Sequence, residues 1–132
     1  MKNIDRFQEI PHEGAMCDYL WSDPDEISDE WEQNPRGAGV IFGNKLVEKF
    51  MKSNNMELIV RAHQLIMEGY KLHFNNKLIT IWSAPNYCYR CNNTAAILQL
   101  DEYLRTNYIT FNASPENNKQ EPEKMALPEY FL

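Results

Sequence analysis

The sequence predicts an α/β fold in which a mostly antiparallel sheet is flanked by helices. Five short runs in the second half of the chain are rich in apolar residues, and one of them, Gly69–Phe74, alternates apolar and polar residues, which is typical of β-strands. One stretch in the first half has the apolar spacing of an amphipathic helix. The connections between the predicted strands are short, which favours antiparallel pairing.

Length and charge limit the classes of function. The chain has 132 residues, which fits a single domain with its own core, and a formal net charge of −6. This acidic balance argues against a nucleic-acid partner, since phosphate binding needs a basic face. No apolar run reaches the roughly 18 residues of a membrane span. Three cysteines and a start without an apolar leader predict reduced thiols and a cytoplasmic or nuclear location.

The first 32 residues are predicted to contain only short elements. Pro11 and Gly14 interrupt the helical character of residues 1–22. The densely acidic run Asp23–Glu32 is interpreted as a solvated loop. A carboxylate metal site is the alternative, although the run lacks the glycine and the ligand spacing of a calcium loop.

A helix is predicted after this loop. Asn44 is a suitable N-cap, and Asn54-Asn55 is expected to end the helix. Four apolar residues share one face of it: Leu46, Val47, Phe50 and Met51.

The second half is predicted to form the sheet. The five strands are Glu57–Ala62, Gly69–Phe74, Leu78–Trp82, Ala95–Leu100 and Tyr108–Phe111. Asn75-Asn76 is expected to form the turn between the second and third strands. The composition becomes polar after Asn112, so residues 1–112 are predicted to be the folded part and residues 113–132 a flexible tail.

Two isolated residues are candidates for binding chemistry. His63 follows a predicted strand, where an imidazole is either a metal ligand or a hydrogen-bonded structural residue. Arg36 precedes Gly37-Ala38-Gly39, where the guanidinium either binds phosphate oxygens or lies solvated on a turn. Residue type and spacing alone leave both alternatives open.

The loop between the third and fourth predicted strands is the third candidate. Cys88 and Cys91 have C-x-x-C spacing, but a zinc site needs two more ligands and a redox pair normally lies between a strand and a helix. Tyr87, Tyr89 and Arg90 suit either a recognition rim or a loop packed on its own tyrosines.

Taken together and in order, these segments resemble the phosphoprotein phosphatase family. The matching segments are Ile4–Arg6, Glu9–Gly14, Cys17-Asp18, Leu20–Pro24, Pro35–Gly39, Arg61–Gln64, Met67–Lys71 and Trp82–Cys91. The terminal Tyr130-Phe131-Leu132 is similar to the tail of the type 2A group. Val40 and Asn92 depart from the usual family residues at their positions.

This resemblance implies a fold, metals and partners. The fold is a metallophosphatase β-sandwich flanked by helices, of which this chain would be the incomplete C-terminal part. The complete enzyme would bind two divalent metals (manganese, iron or zinc) and hydrolyse phosphoserine and phosphothreonine proteins. Its partners would be regulatory or scaffold subunits of the type 2A kind.

The resemblance also implies roles for individual residues. His63 matches a metal ligand, and Arg36 and Tyr87 match groups that contact the substrate phosphate. The other roles fall on a loop that contacts toxins and substrate, with Tyr89, Arg90 and Cys91, and on a regulatory tail, with Tyr130 and Leu132.

Most of the family's metal ligands are absent from these 132 residues. The family motifs Gly-Asp-x-His-Gly, Gly-Asp-x-Val-Asp-Arg-Gly and Gly-Asn-His-Glu do not occur, and the last of them carries the general acid. The expectation is therefore a truncated chain with no catalytic acid, no stably bound metal and no activity by itself. The alternative is a non-catalytic module that competes for type 2A regulatory or scaffold subunits.

Overall fold

The computed structural model describes residues 3–28 and 30–116. These residues divide between Met56 and Glu57 into two compact units. The predicted regulatory residues Tyr130 and Leu132 lie outside the described residues. Within the described ranges, no helix is long and apolar enough to cross a membrane. The α/β fold class is confirmed, with two helices and mixed sheets in the described part of the chain.

The described part of the first unit contains two helices and one three-stranded sheet. In chain order its elements are α1 (Ala15–Trp21), β1 (Asp23–Pro24), β2 (Trp31–Gln33), β3 (Val40–Phe42) and α2 (Asn44–Asn54). β3 is the central strand, and it pairs in parallel with β1 and antiparallel with β2. The sheet is small, so the burial of this unit depends on the helices and on the loop between β2 and β3.

The predicted helix is confirmed as α2. Val47 and Met51 of the predicted apolar face are buried, with 2% and 8% of their surfaces exposed. Asn55 ends the helix in the left-handed conformation (φ 52°), which asparagine tolerates better than most residues. The predicted N-cap at Asn44 is one residue late, because the extended backbone of Gly43 already leads into the first turn.

The second unit holds the strands that the sequence predicted. In chain order its elements are β4 (Ile59–Arg61), β5 (Tyr70–His73), β6 (Leu78–Ile81), a 3₁₀ turn (Tyr87–Tyr89), β7 (Ala95–Leu100) and β8 (Thr106–Phe111). They form a three-stranded sheet, ordered β4-β6-β5, and a two-stranded β7–β8 hairpin. The Asn75-Asn76 turn is confirmed, since both residues have the positive φ angles (54° and 66°) of a tight hairpin turn.

One pairing in this unit differs from the prediction of antiparallel strands. β4 runs parallel to β6, with Ile59 opposite Leu78 and Arg61 opposite Thr80. The β5–β6 hairpin occupies one edge of β6, so β4 joins the other edge and runs in the same direction as β6. This parallel pair matters for the site, because both strands end at the same edge of the sheet.

The core of the second unit lies on β6 and the start of β7. Five of its residues are at most 1% exposed: Leu78, Ile79, Thr80, Ala95 and Ala96. The buried His73 has one partner within the sheet, since its Nε2 lies 3.1 Å from Thr80 Oγ1. The well-packed β6 and β7 thus hold the connection between them at both of its ends.

Candidate functional site

Arg36 is held by an ion pair inside the first unit. Its Nε donates to Asp23 Oδ2 at 2.7 Å, and both side chains are only 9% exposed. The side-chain amide of Asn34 donates to the same carboxylate oxygen at 3.0 Å, and Asn34 Oδ1 accepts from the Arg36 backbone N–H at 2.9 Å. A buried charge needs a partner of this kind, and here the partner also fixes the orientation of the guanidinium.

The burial of Asp23 corrects the interpretation of the acidic run as a solvated loop. Asp23 is 6% exposed and lies on β1, whereas Glu26 and Glu30 are exposed as predicted. The density of acidic residues concealed this difference, because the cation that pairs with Asp23 lies thirteen residues further along the chain. Asn34 was not predicted as a residue of the site.

Gly39 explains part of the glycine pattern that follows Arg36. A Cβ at this position would lie 2.7 Å from the backbone N of Ser22 and from the carbonyl carbon of Trp21. The chain therefore passes against the end of α1 too closely for any other residue, which fixes the segment after Arg36. The hydroxyl of Ser22 adds a hydrogen bond from the Val40 N–H at 3.0 Å.

His63 lies in the second unit, two residues after β4. Its φ angle is 84°, a conformation that a non-glycine residue adopts only when the surroundings hold it there. Its Nε2 atom is buried. Backbone strain of this kind is concentrated at functional sites, which favours a specific role for the imidazole.

The ends of β4 and β6 form one wall of a cleft of about 550 Å³. Because these two strands are parallel, the residues that follow them meet at the same edge of the sheet. The cleft is lined by Val60, Arg61, Ala62, Ile81, Trp82, Ser83, Ala84 and Tyr87. The structure thus brings the segment before His63 and the segment containing Tyr87 to a common edge.

Tyr87 packs against this edge through an aromatic contact. Its ring meets the Trp82 ring edge-to-face, with centroids 4.8 Å apart and an interplanar angle of 89°. Burial raises the pKa of the Tyr87 hydroxyl, and the neighbouring Cys88 and Cys91 thiols raise it further. The phenol therefore remains a neutral donor at physiological pH. Trp82 was not predicted to line the cleft, although its position at the end of a predicted strand indicated that it could lie at the edge of the sheet.

The rest of this loop turns towards solvent. Tyr89 is 47% exposed and Arg90 is exposed, as a recognition rim requires. Cys88 and Cys91 are half-buried thiols without a disulfide. Cys88 and Tyr89 both have positive φ angles (54° and 60°), which neither residue type predicts.

Comparison with known proteins places the chain in a family. A family model described as calcineurin-like phosphoesterase matches residues 1–67 of the 132. The chain belongs to the calcineurin-like phosphoesterase family. This match includes both Arg36 and His63.

A solved structure extends the similarity over nearly the whole phosphoesterase chain. It is a protein serine/threonine phosphatase from Saccharomyces cerevisiae with similarity to human phosphatase PP5, and it is 30% identical with a TM-score of 0.78. The match covers 92% of this chain and 40% of that one. The phosphoesterase chain thus spans about 40% of the length of this relative.

The described residues do not complete a metal site. Phosphoesterases of this family typically bind divalent metals. Among residues 3–28 and 30–116, no group of three or more histidine, cysteine, aspartate or glutamate side chains is arranged to hold a metal ion. His63 is therefore a single candidate ligand, and further ligands are required for the two-metal site that the resemblance implies.

Proposed function

We propose that this chain is part of the catalytic domain of a serine/threonine protein phosphatase of the type 2A group. The observation that carries the proposal is the buried Asp23–Arg36 pair, which holds a guanidinium in a fixed orientation in the segment that matches the phosphoesterase family. A planar, fixed guanidinium suits the paired oxygens of a phosphate group. The similarity to a serine/threonine phosphatase supports a phosphoprotein substrate.

Several sequence features support the type 2A group and, within it, similarity to the protein phosphatase 4 catalytic subunit. They are Asp5-Arg6, His73–Asn75, Ala95–Glu102 and the terminal Tyr130–Leu132. In this proposal the complete enzyme acts in the cytoplasm or nucleus with type 2A regulatory or scaffold subunits.

In this proposal the chain contributes to phosphate binding and to metal binding. In the first unit, Arg36 is assigned to bind phosphate oxygens and to offset the charge that develops on them. The Tyr87 hydroxyl, in the second unit, is assigned a hydrogen bond to a phosphate oxygen. His63 contributes one metal ligand from the end of β4. The remaining ligands and the general acid belong to motifs that do not occur in these 132 residues, so hydrolysis requires residues beyond this set.

A chimaera tests this proposal. The matching segment of the yeast phosphatase is replaced by this chain, and phosphate release from a phosphoserine peptide is measured. We expect activity in the chimaera, and a fall in kcat/KM of about 100- to 1,000-fold for Arg36→Ala, since one charge-stabilising donor is lost. His63→Ala is expected to lower both activity and metal content.

The control is Arg105→Ala, which removes an exposed arginine from the tip of the β7–β8 hairpin. It is expected to leave the rate unchanged. A folded chimaera without activity, or an active one that tolerates Arg36→Ala, would show that the proposal is wrong.

A further inference from the structure

The loop between β6 and β7 is closed by one buried asparagine side chain. Asn93 is 3% exposed, and its amide nitrogen donates to the carbonyls of Ala84 (2.8 Å) and Thr94 (3.1 Å). Its Oδ1 accepts from the backbone N–H of Tyr87 at 2.7 Å. Asn93 therefore links the beginning, the middle and the end of the loop, and all hydrogen-bonding groups of its amide except one lone pair are used.

The backbone of Asn93 adds a fourth link. Its carbonyl accepts from the Asn86 N–H at 3.0 Å, and the side chain of Asn86 accepts from the Asn92 N–H at the same distance. Asn86 and Asn92 thus reinforce the closure from the two sides of Tyr87.

The loop needs this closure because its backbone is strained. Four of its non-glycine residues have positive φ angles between 44° and 60°: Asn86, Cys88, Tyr89 and Asn92. Each such residue costs energy that the surrounding structure must offset. Without Asn93, relaxation of these angles would move the residues that lie between them, and Tyr87 is one of those residues.

We propose that Asn93 is a positioning residue that holds Tyr87 at the edge of the cleft. The hydrogen bond from the Tyr87 N–H to Asn93 Oδ1 fixes the Tyr87 backbone. The Asn93 side chain also donates to the carbonyl of Ala84, which lines the cleft. Trp82 supplies the surface against which the positioned ring packs. The consequence for phosphate binding rests on the proposed function, whereas the position of the ring does not.

The isosteric substitution Asn93→Asp removes the two side-chain donor bonds of Asn93 and keeps its acceptor oxygen. The carboxylate can still accept from Tyr87, but it loses both donors and faces two carbonyl oxygens, those of Ala84 and Thr94. The loop is then expected to open. Hydrogen exchange of the Tyr87 N–H should become about 10- to 100-fold faster, since two hydrogen bonds are lost.

The Tyr87 phenol gives a second readout that overall stability does not move. NMR titration of the chain labelled with ¹³C-tyrosine, assigned with Tyr87→Phe, follows this hydroxyl. In the uncharged variant Asn93→Ala, which adds no carboxylate beside the phenol, the raised pKa of Tyr87 should fall towards its ordinary value, because the ring loses its burial. The matched control is Asn107→Ala, which removes the same kind of donor from its bond to Gln99 on the β7–β8 hairpin and should leave Tyr87 unchanged.

Equal titration of Tyr87 in the unmodified chain and in folded Asn93→Ala would overturn the proposal. If neither Asn93 variant folds, exchange in the unmodified chain decides the question. The Tyr87 N–H should then be protected at least 10-fold relative to the exchange rate of an unstructured peptide, and an unprotected Tyr87 N–H would overturn the proposal. A shifted Tyr87 without any change in phosphopeptide hydrolysis by the chimaera would support the role of Asn93 and reject the substrate role of Tyr87.

Discussion

Substituting Arg36 with leucine is expected to lower the free energy of unfolding of the first unit by about 3 to 5 kcal/mol. The change removes the cation next to Asp23, whose side chain is 9% exposed. Asn34 also donates to this oxygen, but a neutral donor does not replace a charge. Urea unfolding combined with hydrogen exchange over residues 15–54 measures the loss.

The double variant Asp23→Leu with Arg36→Leu isolates the cause. A buried ion pair that is replaced by apolar residues is often close to neutral, so the double variant should recover most of the stability. If the double variant is as unstable as the sum of the two single variants, the pair is not coupled. A loss below about 1 kcal/mol for Arg36→Leu alone would indicate a solvated arginine.

Substituting Gly69 with alanine is expected to destabilise the second unit by about 3 kcal/mol, through overpacking and backbone strain together. A Cβ at Gly69 would lie 2.6 Å from the carbonyl carbon of Ala95 and 2.8 Å from the N of Ala96, both backbone atoms of β7. The φ angle of +87° adds the cost of the left-handed conformation. Because the Gly69 carbonyl also accepts from the Trp82 N–H at 2.8 Å, movement here disturbs the lining of the cleft.

Gly37→Ala is the matched control for this substitution. Gly37 has a similar φ angle of +81°, but nothing lies within 4 Å of an added Cβ. Its loss should be limited to the backbone term of about 1 to 2 kcal/mol. Equal losses in urea unfolding would show that close packing on β7 is not what requires glycine at position 69.

Local patterns in the sequence predicted the elements better than their pairing. The helix α2 and the strand β7 were predicted because the periodic residues lie within each segment. The parallel pairing of β4 with β6 was not predicted, since the edge that β4 joins depends on where the β5–β6 hairpin lies. Strand direction is a property of segments that are distant in the chain.

In the candidate site, too, residues within a local motif were predicted and residues defined by their contacts were not. Arg36 and Tyr87 stood out by their motifs, but Asp23 and Asn93 did not. Asp23 pairs with an arginine thirteen residues away, and Asn93 bonds backbone groups, which have no signal in the sequence. The positive φ angle of His63 has no signal in the sequence either, since histidine does not require it. The roles that the resemblance implies for Tyr89, Arg90 and Cys91 remain predictions, as do those of Tyr130 and Leu132.

The most direct test of the account measures phosphate release from a phosphothreonine peptide by the purified 132-residue chain in the presence of manganese. The account predicts no release above the manganese-only blank, because the motifs for the other metal ligands and for the general acid do not occur in this sequence. Release that disappears in Arg36→Ala and in His63→Ala would contradict it, because the chain would then contain a complete phosphatase site.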